Sequence, residues 1–550
     1  IDYAMHVQLP KAVTRYDTGN GMVEPSFFSE MLGLQGRMDY IQLDQGVIIE
    51  QKSGKGAFPY DNFTKPRHTE EHYVQMLLYM LIFRYNFRKI YEKNNREMFP
   101  FLLYSKYRES LLGLGFAPEL VFRALKLRNR IAWTEMMCTC DGGFRILERL
   151  TADNMNAKGT GGKLWEEYQK PQIEELLRPI HEADTTERDY FFRMMTFVAN
   201  EHMLSKLGNK TKEDSGFAAK WHDSLDDKIQ AGNIYCNLRL VSPADRQEGH
   251  IDTVTLRFAE PGGNDISNFR TGDIVILYPY DRGSEPDARK GMVFRCTIED
   301  INAETLRLSL RNAQAGATIF LRDKDRPWAV EHDFFESSIG PLYRGLHAFL
   351  RAPRERRDLL MLRREPETDT GIRLKGDYGD FNDLARRVKQ ARDFFLIVGP
   401  PGTGKTSFGM LNTLKEELLE EASSVLVLSY TNRAVDEICS KLVAEGIDFI
   451  RLGSRISCAN AYRNHMLNTR VEACGNIGDV KKMIGEARVI VGTTTALNGN
   501  TAIFEMKQFS LAIIDEASQI LEPHLIGLLS AQNAGAPAIR KFVICLLYTS

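Results

Sequence analysis

Apolar and polar positions alternate over short distances at the start of the chain. Arg37 to Leu43 and Val47 to Lys52 are apolar-rich runs on either side of Asp44-Gln45-Gly46, and two such runs around a glycine-containing turn predict a β-hairpin. His72 to Phe83 is almost continuously apolar and helical in character, and Phe99 to Tyr104 follows as a strand. Residues 1–125 therefore predict a mixed α/β unit. From 126 to 232 the period lengthens: Phe191, Met194, Met195 and Val198 fall at i, i+3, i+4 and i+7, the stripe of a helix resting on a core. Such a stripe predicts plain packing rather than a ligand box.

Between 233 and 315 the runs shorten again. Ile274 to Tyr278, Met292 to Ile298 and Leu306 to Leu310 are β-rich and separated by Gly, Pro, Asn and Asp, which predicts a small barrel. Residues 316–380 read as a helical linker, with the arginine-rich stretch Arg351 to Arg364 expected to be solvated. From 381 to 550 the strands Phe394 to Val398, Ser424 to Ser429, Arg488 to Gly492 and Leu511 to Ile514 alternate with helical stretches, the mark of a parallel, doubly wound sheet. The fold class expected is thus a multidomain α/β chain.

Composition narrows this reading only a little. The 550 residues are 43% hydrophobic and 26% charged, as in ordinary globular domains. With 71 Lys plus Arg against 73 Asp plus Glu, the molecule is no polycation, so any nucleic acid must be held by local patches. The eight cysteines are mostly isolated, which suits a reducing compartment. No apolar run reaches the roughly 18 residues of a bilayer span, and the start, from Ile1, is no signal peptide. The expectation is a cytoplasmic, nucleoid-associated enzyme without membrane contact, read from an internal fragment of a longer chain.

The chemistry is most explicit near the end. Gly399-Pro400-Pro401-Gly402-Thr403-Gly404-Lys405-Thr406-Ser407 follows an apolar strand and precedes a helical stretch, the context that a phosphate-binding loop requires. Glycines let backbone N–H groups wrap the phosphates of ATP, Lys405 reaches the outer ones, and the Thr406 hydroxyl suits Mg²⁺. Lys158-Gly159-Thr160-Gly161-Gly162-Lys163 looks similar but lacks the preceding strand, so a flexible loop is expected there. Leu511-Ala512-Ile513-Ile514-Asp515-Glu516 supplies a strand ending in two acids, with Asp515 suited to the metal and Glu516 to the attacking water.

These segments resemble, in order, the motifs of superfamily 1 helicases. The resemblance rests on Gly399 to Ser407, Val425 to Asp436, Arg451-Leu452-Gly453-Ser454, Val491-Gly492-Thr493-Thr494-Thr495 and Asp515-Glu516-Ala517-Ser518-Gln519. More narrowly, the series is similar to the branch that contains the eukaryotic replication helicase-nuclease and the nonsense-decay RNA helicase. That likeness implies a RecA-like P-loop motor domain moving 5′ to 3′, with Thr431-Asn432 and Thr493-Thr494 touching the backbone of a single strand. Two departures stand out. Asn382 occupies the place of the family's adenine-reading glutamine, and Cys545-Leu546-Leu547-Tyr548-Thr549-Ser550 replaces the next motif of the series. Without the second motor domain and its arginine fingers, this length of chain is expected to bind ATP and hydrolyse it poorly.

A second constellation lies on the predicted hairpin. Asp39 on one strand and Glu50 and Lys52 on the other place two acids beside a lysine, and residues 50 and 52 share a face. Two carboxylates can hold a Mg²⁺ or Mn²⁺ that activates water against a phosphodiester, while Lys52 steadies that water or the developing charge. His72, Gln75 and Tyr79 fall on one face of the following helix. Together Gly36-x-x-Asp39, Glu50-x-Lys52 and Gln75-x-x-x-Tyr79 resemble the RecB-like nucleases of the PD-(D/E)XK class. The likeness implies that Gln75 and Tyr79 position DNA; as plain residues they would cap a helix packed on the sheet. His6 reads as an ordinary histidine.

Some relatives hold an iron–sulfur cluster, but Cys138 and Cys140 are the only close pair here and four thiolates at workable spacing are not present, so no cluster is expected. From Arg84 to Arg130, lysines and arginines outnumber the glutamates Glu92, Glu97, Glu109 and Glu119, with Tyr85, Phe87, Tyr91, Tyr104 and Tyr107 interleaved. Cations neutralise phosphates and rings stack on bases, so the stretch is either a single-strand surface or a set of solvated charges. Three readings follow. The leading one is an ATP-driven motor on single-stranded DNA coupled to a metal-dependent nuclease in replication or repair. The second is an RNA or ribonucleoprotein motor with a silent N-terminal domain. The third is a nucleotide-gated binding scaffold.

Overall fold

The computed structural model describes residues 3–14, 16–56, 67–208, 216, 220–247, 250–259, 267–316, 318–321, 325–333, 339–400, 403–455 and 457–547. Contacts divide the chain into two units, Ile1–Thr134 with Met203–Ser337 and Glu135–His202 with Ser338–Ser550.

In the first unit a five-stranded sheet runs in the order Met22–Val23, Tyr40–Gln42, Val47–Lys52, Phe99–Tyr104, Leu111–Gly113. Val47–Lys52 and Phe99–Tyr104 are parallel, and a parallel pair needs a crossover, supplied by the helix Glu70–Asn86. Thr69 caps that helix by accepting a hydrogen bond from the His72 N–H, and Glu70 and Glu71 favour its positive end. Met76, Leu77, Met80 and Phe83 pack over Ile41, Ile48 and Leu102, while Leu9 and Val13 cover Val47, Ile49 and Leu103 on the opposite face. Burial from both sides explains why Val47-Ile48-Ile49 is continuously apolar.

The expected hairpin forms, but its first strand is broken. Leu34–Arg37 pairs with Ser26–Ser29, and only Tyr40–Gln42 pairs with Val47–Lys52. The break falls at Met38 and Asp39. Met38 donates its N–H to the Pro25 carbonyl and is fully buried, while the Asp39 carboxylate accepts the Gln51 N–H at 2.6 Å, taking the place of a backbone ladder partner.

The same unit contains a closed six-stranded barrel in the order Ile274–Pro279, Phe294–Ile301, Thr305–Gln314, His250–Arg257, Ile234–Gln247, Trp328–His332. Leu306, Leu308 and Leu310 alternate inwards with polar neighbours, meeting Val254, Leu256, Val275 and Leu277. The closing strand Trp328–His332 pairs with both Ile274–Pro279 and Ile234–Gln247 and lies past residue 315, where the β-rich runs end in the sequence reading.

In the second unit six parallel strands run Phe394–Gly399, Ile539–Leu547, Phe509–Ile514, Val425–Ser429, Val489–Thr493, Ile450–Arg451. Apolar clusters cover both faces, so the strands read as unbroken runs. Phe191, Met195 and Val198 are buried against Leu346, Phe349 and Leu350, as the helical stripe predicts.

The arginine-rich stretch is not a solvated face. Arg356 is buried and donates to the carbonyls of Ile539 and Arg540, Arg357 pairs with Glu187 at 2.8 Å, Arg363 pairs with Asp184 at 2.6 Å, and Arg364 pairs with Asp393 at 2.7 Å. Glu187 side-chain exposure is 4% and that of Arg357 is 18%, so removing one partner strands a desolvated charge. Glu187→Ala is expected to cost about 3 kcal/mol, read as a shifted urea midpoint for the second unit. Arg354→Ala, whose ion pair with Asp358 leaves the arginine 83% exposed, should change it by less than about 0.5 kcal/mol.

Candidate active sites

The broken hairpin brings Asp39, Glu50, Lys52, Gln75 and Tyr79 together. Glu50 and Lys52 point to one face of the Val47–Lys52 strand, and the Lys52 ammonium lies 2.7 Å from Glu50 Oε1. Gln75, reaching over from the helix, accepts from Lys52 Nζ at 2.9 Å and donates to Glu50 Oε1 at 2.7 Å and to Tyr79 Oη at 3.0 Å. Tyr79 is buried and donates to the Arg37 carbonyl at 2.7 Å. Gln75 and Tyr79 thus hold Glu50 and Lys52 in place, and their helix is fixed to the start of the hairpin by the same bonds. Tyr104 is buried beneath, its hydroxyl 2.7 Å from His72 Nδ1.

Glu50 is 4% exposed, and its Oε2 has no hydrogen-bond partner among the described residues. Burial pushes its carboxyl above the ordinary range and Asp39 adds to the rise, against the opposing pull of Lys52 and Gln75. A buried, half-satisfied carboxylate beside a second one suits a hard cation. Among the described residues no three His, Cys, Asp or Glu side chains converge. Mg²⁺ and Mn²⁺ sites commonly use one or two protein carboxylates completed by substrate oxygens, so Asp39 and Glu50 would hold such an ion, and it would supply an activated water.

In the second unit the candidate phosphate loop is described on either side of residues 401–402. The strand Phe394–Gly399 ends at Gly399, and Gly404 takes a φ of 79°, where a Cβ would meet the Phe408 ring at 2.6 Å. Thr403 Oγ1 donates to the Pro400 carbonyl at 2.8 Å, and helical turns run from Lys405 to Leu418. Pro401 and Gly402 lie outside the described residues, as do the side chains of Lys405, Thr406 and Ser407. Asp515 is buried at the end of its strand, its N–H held by the Leu428 carbonyl at 2.8 Å. Glu516 follows at φ 52°, a strained backbone position, and burial, then the nearby charges of Asp515 and Glu437, raise its pKa. Asp515 is the residue of this pair that would hold a nucleotide's Mg²⁺.

Asn382 is already engaged. Its Oδ1 accepts from the Tyr378 N–H at 2.8 Å and its Nδ2 donates to Asp377 at 2.7 Å. Beside it a cavity of about 540 Å³ is lined by Tyr378, Phe381, Phe408 and Asn412, and the rings of Phe381 and Phe408 stack at 5.0 Å. Nothing in the sequence motifs singles out these residues; only the helical spacing of Gly404, Phe408 and Asn412 connects them to the loop.

A second cavity, of about 690 Å³, opens at the carboxyl ends of the strands and is lined by Thr431, Asn432, Gly453, Ser454, Thr493 and Thr495. Thr431 and Thr493 each cap a helix, accepting from the N–H groups of Ala434 and Ala496. Thr494 is buried, so Thr495 and not Thr494 faces this groove. Within the basic stretch, Phe87 and Tyr104 are buried and unavailable for base stacking. Lys158 to Lys163 follows the short helix Ala152–Met155 rather than a strand, and Asn156 ties Thr160 by two bonds of 2.8 Å.

Residues 382–478 match the family model described as AAA domain. The DNA replication ATP-dependent helicase/nuclease JHS1 of Arabidopsis thaliana is 31% identical over 213 residues, covering 36% of this chain and 16% of that protein. The DNA replication ATP-dependent helicase/nuclease DNA2 of Bos taurus is 31% identical over 288 residues, covering 48% and 25%, and that of Homo sapiens 28% over 285 residues, covering 48% and 26%. The chain therefore spans between about a sixth and a quarter of these relatives. These relatives are named as replication helicase/nucleases, and this chain itself has mixed α/β content with a six-stranded barrel. No helix among the described residues is long and apolar enough to cross a membrane.

The raised Glu50 pKa has a signed consequence. The folded state holds that proton more tightly than the unfolded chain, so this contribution to stability is full below the ordinary carboxyl pKa and is lost as pH rises through the raised one. Glu50→Gln is accordingly expected to melt above the wild type near about pH 7 and to lose that advantage near about pH 4, measured by thermal unfolding across that range.

Proposed function

We propose that this chain is part of an ATP-driven DNA motor joined to a metal-dependent nuclease, serving replication or repair. In this reading residues 1–125 are a PD-(D/E)XK nuclease domain, 126–232 a helical connector, 233–315 the β-barrel, 316–380 a helical linker that also carries the barrel's closing strand Trp328–His332, and 381–550 the first motor domain. The observation that carries the nuclease half is the buried Glu50, bonded to Lys52 and Gln75 with one oxygen unspent and Asp39 alongside. A silent fold has no need for that costly arrangement. The motor half rests on the strand Phe394–Gly399, the positive-φ turn at Gly404 and the helical turns after it, with Asp515 at the end of a strand two places away in the same sheet.

The chemistry divides among the residues as follows. Asp39 and Glu50 hold Mg²⁺ or Mn²⁺, Lys52 stabilises charge at the attacked phosphate, and Gln75 and Tyr79 fix both. Gly399, Pro400, Pro401, Gly402, Thr403, Gly404, Lys405, Thr406 and Ser407 cradle ATP, Asp515 takes its Mg²⁺, and Glu516 orients water. Single-stranded DNA is the partner, gripped by its backbone in the groove of Thr431 and Thr493. A cytoplasmic, nucleoid-associated location belongs to this reading.

The test incubates labelled single-stranded DNA and RNA with the protein, with and without Mg²⁺ and ATP. Glu50→Ala is expected to lower cleavage at least about 10²-fold and to leave nucleotide binding intact. Lys405→Ala is expected to weaken ATP binding about tenfold or more while DNA cleavage without ATP persists. Equal cleavage by wild type and Glu50→Ala overturns the nuclease half, and a preference for RNA points to the ribonucleoprotein reading instead.

A further inference from the structure

The helix Pro118–Cys138 exposes most of its surface, Leu127, Ile131 and Met136 among its exposed residues as well as a side that carries both cations and rings. Val121 is buried, Leu120 and Leu125 pack on the core beneath, and Arg128 donates to the Leu32 carbonyl. On the outer side, at 3.6 residues per turn, Phe122, Trp133, Lys126, Arg130 and Arg123 fall within an arc of about 100°, over a length of about 16 Å. Phe122 is 60% exposed and Trp133 63% exposed, the Lys126 ammonium lies 4.6 Å from the centre of the Phe122 ring, and the only carboxylate in residues 118–134 is Glu119 in the first turn. Large rings facing water beside cations are uncommon on a face with nothing to bind.

Position adds to the argument. Arg123 forms an exposed ion pair of 3.4 Å with Glu70, which places this arc beside the first turn of the helix that carries Gln75. An exposed pair of this kind contributes little, so Arg123 can exchange Glu70 for a phosphate at small cost.

We infer that Phe122, Arg123, Lys126, Arg130 and Trp133 form a track for single-stranded nucleic acid leading to Glu50. The inference rests on the nuclease reading for its destination, though the track stands on its own charges and rings. Cations spaced along one side neutralise successive phosphates, and Phe122 and Trp133 offer flat faces to bases of any identity. A purely apolar protein partner would leave three cations without counter-charge.

The experiment titrates the full chain into fluorescein-labelled oligothymidylate in EDTA across a salt series, so that nothing is cut. Arg123→Ala/Lys126→Ala/Arg130→Ala is expected to weaken binding at least about tenfold at low salt and to reduce the slope of log K against log salt by about 2, at roughly 0.7 per cation. Lys126→Ala alone should reduce it by about 0.7, which keeps the test standing if the triple variant misfolds. Trp133→Ala should weaken binding at least about fivefold with the slope unchanged. An unaltered slope in both charge variants overturns the track, as does a Trp133→Ala protein that changes mass by light scattering while binding DNA normally, since the face then serves a protein. Cleavage by wild type against Glu50→Ala in Mg²⁺ reads the nuclease separately, so either idea can fail alone.

Discussion

A strand buried on both faces must be apolar along its length and can become polar only where it emerges. Both candidate sites depend on that constraint. Val47-Ile48-Ile49 ends in Glu50 and Leu511-Ala512-Ile513-Ile514 ends in Asp515, so in each unit an apolar core drives a carboxylate to the carboxyl edge of its sheet. The acid is carried out of bulk water by the residues before it, and the energetic cost of its burial is offset by the packing of those residues. Lys52 and Gln75 compensate Glu50 only on one oxygen.

Sequence patterns made much of this legible. Continuous apolar runs marked the parallel strands because burial on both faces leaves no room for alternation, and glycine spacing marked the phosphate loop because Gly404 needs a positive φ. The break in the hairpin escaped because it depends on a side chain, Asp39, standing in for a backbone partner of Gln51. Periodicity has no signature for such a substitution. The arginines from Arg356 to Arg364 were misread for a related reason: charge density in a sequence says nothing about whether distant acids, here Asp184, Glu187 and Asp393, lie opposite. The closing strand of the barrel, Trp328 to His332, was missed because the short helix Thr318–Leu321 separates it from the other β-rich runs and Glu331 and His332 cut its apolar run to three residues.

The sites differ in how far sequence alone could define them. Strand alternation put Glu50 and Lys52 on one face, the expected hairpin set Asp39 beside them, and helical spacing put Gln75 and Tyr79 on one face, whereas joining the two groups came from the resemblance to RecB-like nucleases. Their division of labour was not visible. Only the hydrogen bonds show that Tyr79 reaches the Arg37 carbonyl and Gln75 holds Lys52, making both supports for the carboxylate. In the second unit the motif Thr493-Thr494-Thr495 gave the groove's address but not which hydroxyls face it, since a strand-to-helix junction turns Thr494 inwards.

The order of the six parallel strands places Ile539–Leu547 between the strand that leads into the phosphate loop and the strand that ends in Asp515. Neighbouring strands lie about 4.8 Å apart, so one intervening strand holds those two edges about 10 Å from each other. Ile539–Leu547 therefore acts as a spacer gauge: its backbone width sets the gap between the Gly399 and Asp515 edges, which under the proposed function a triphosphate and its counter-ion would fill. A bulge along it would distort that gap without altering a single residue of either edge.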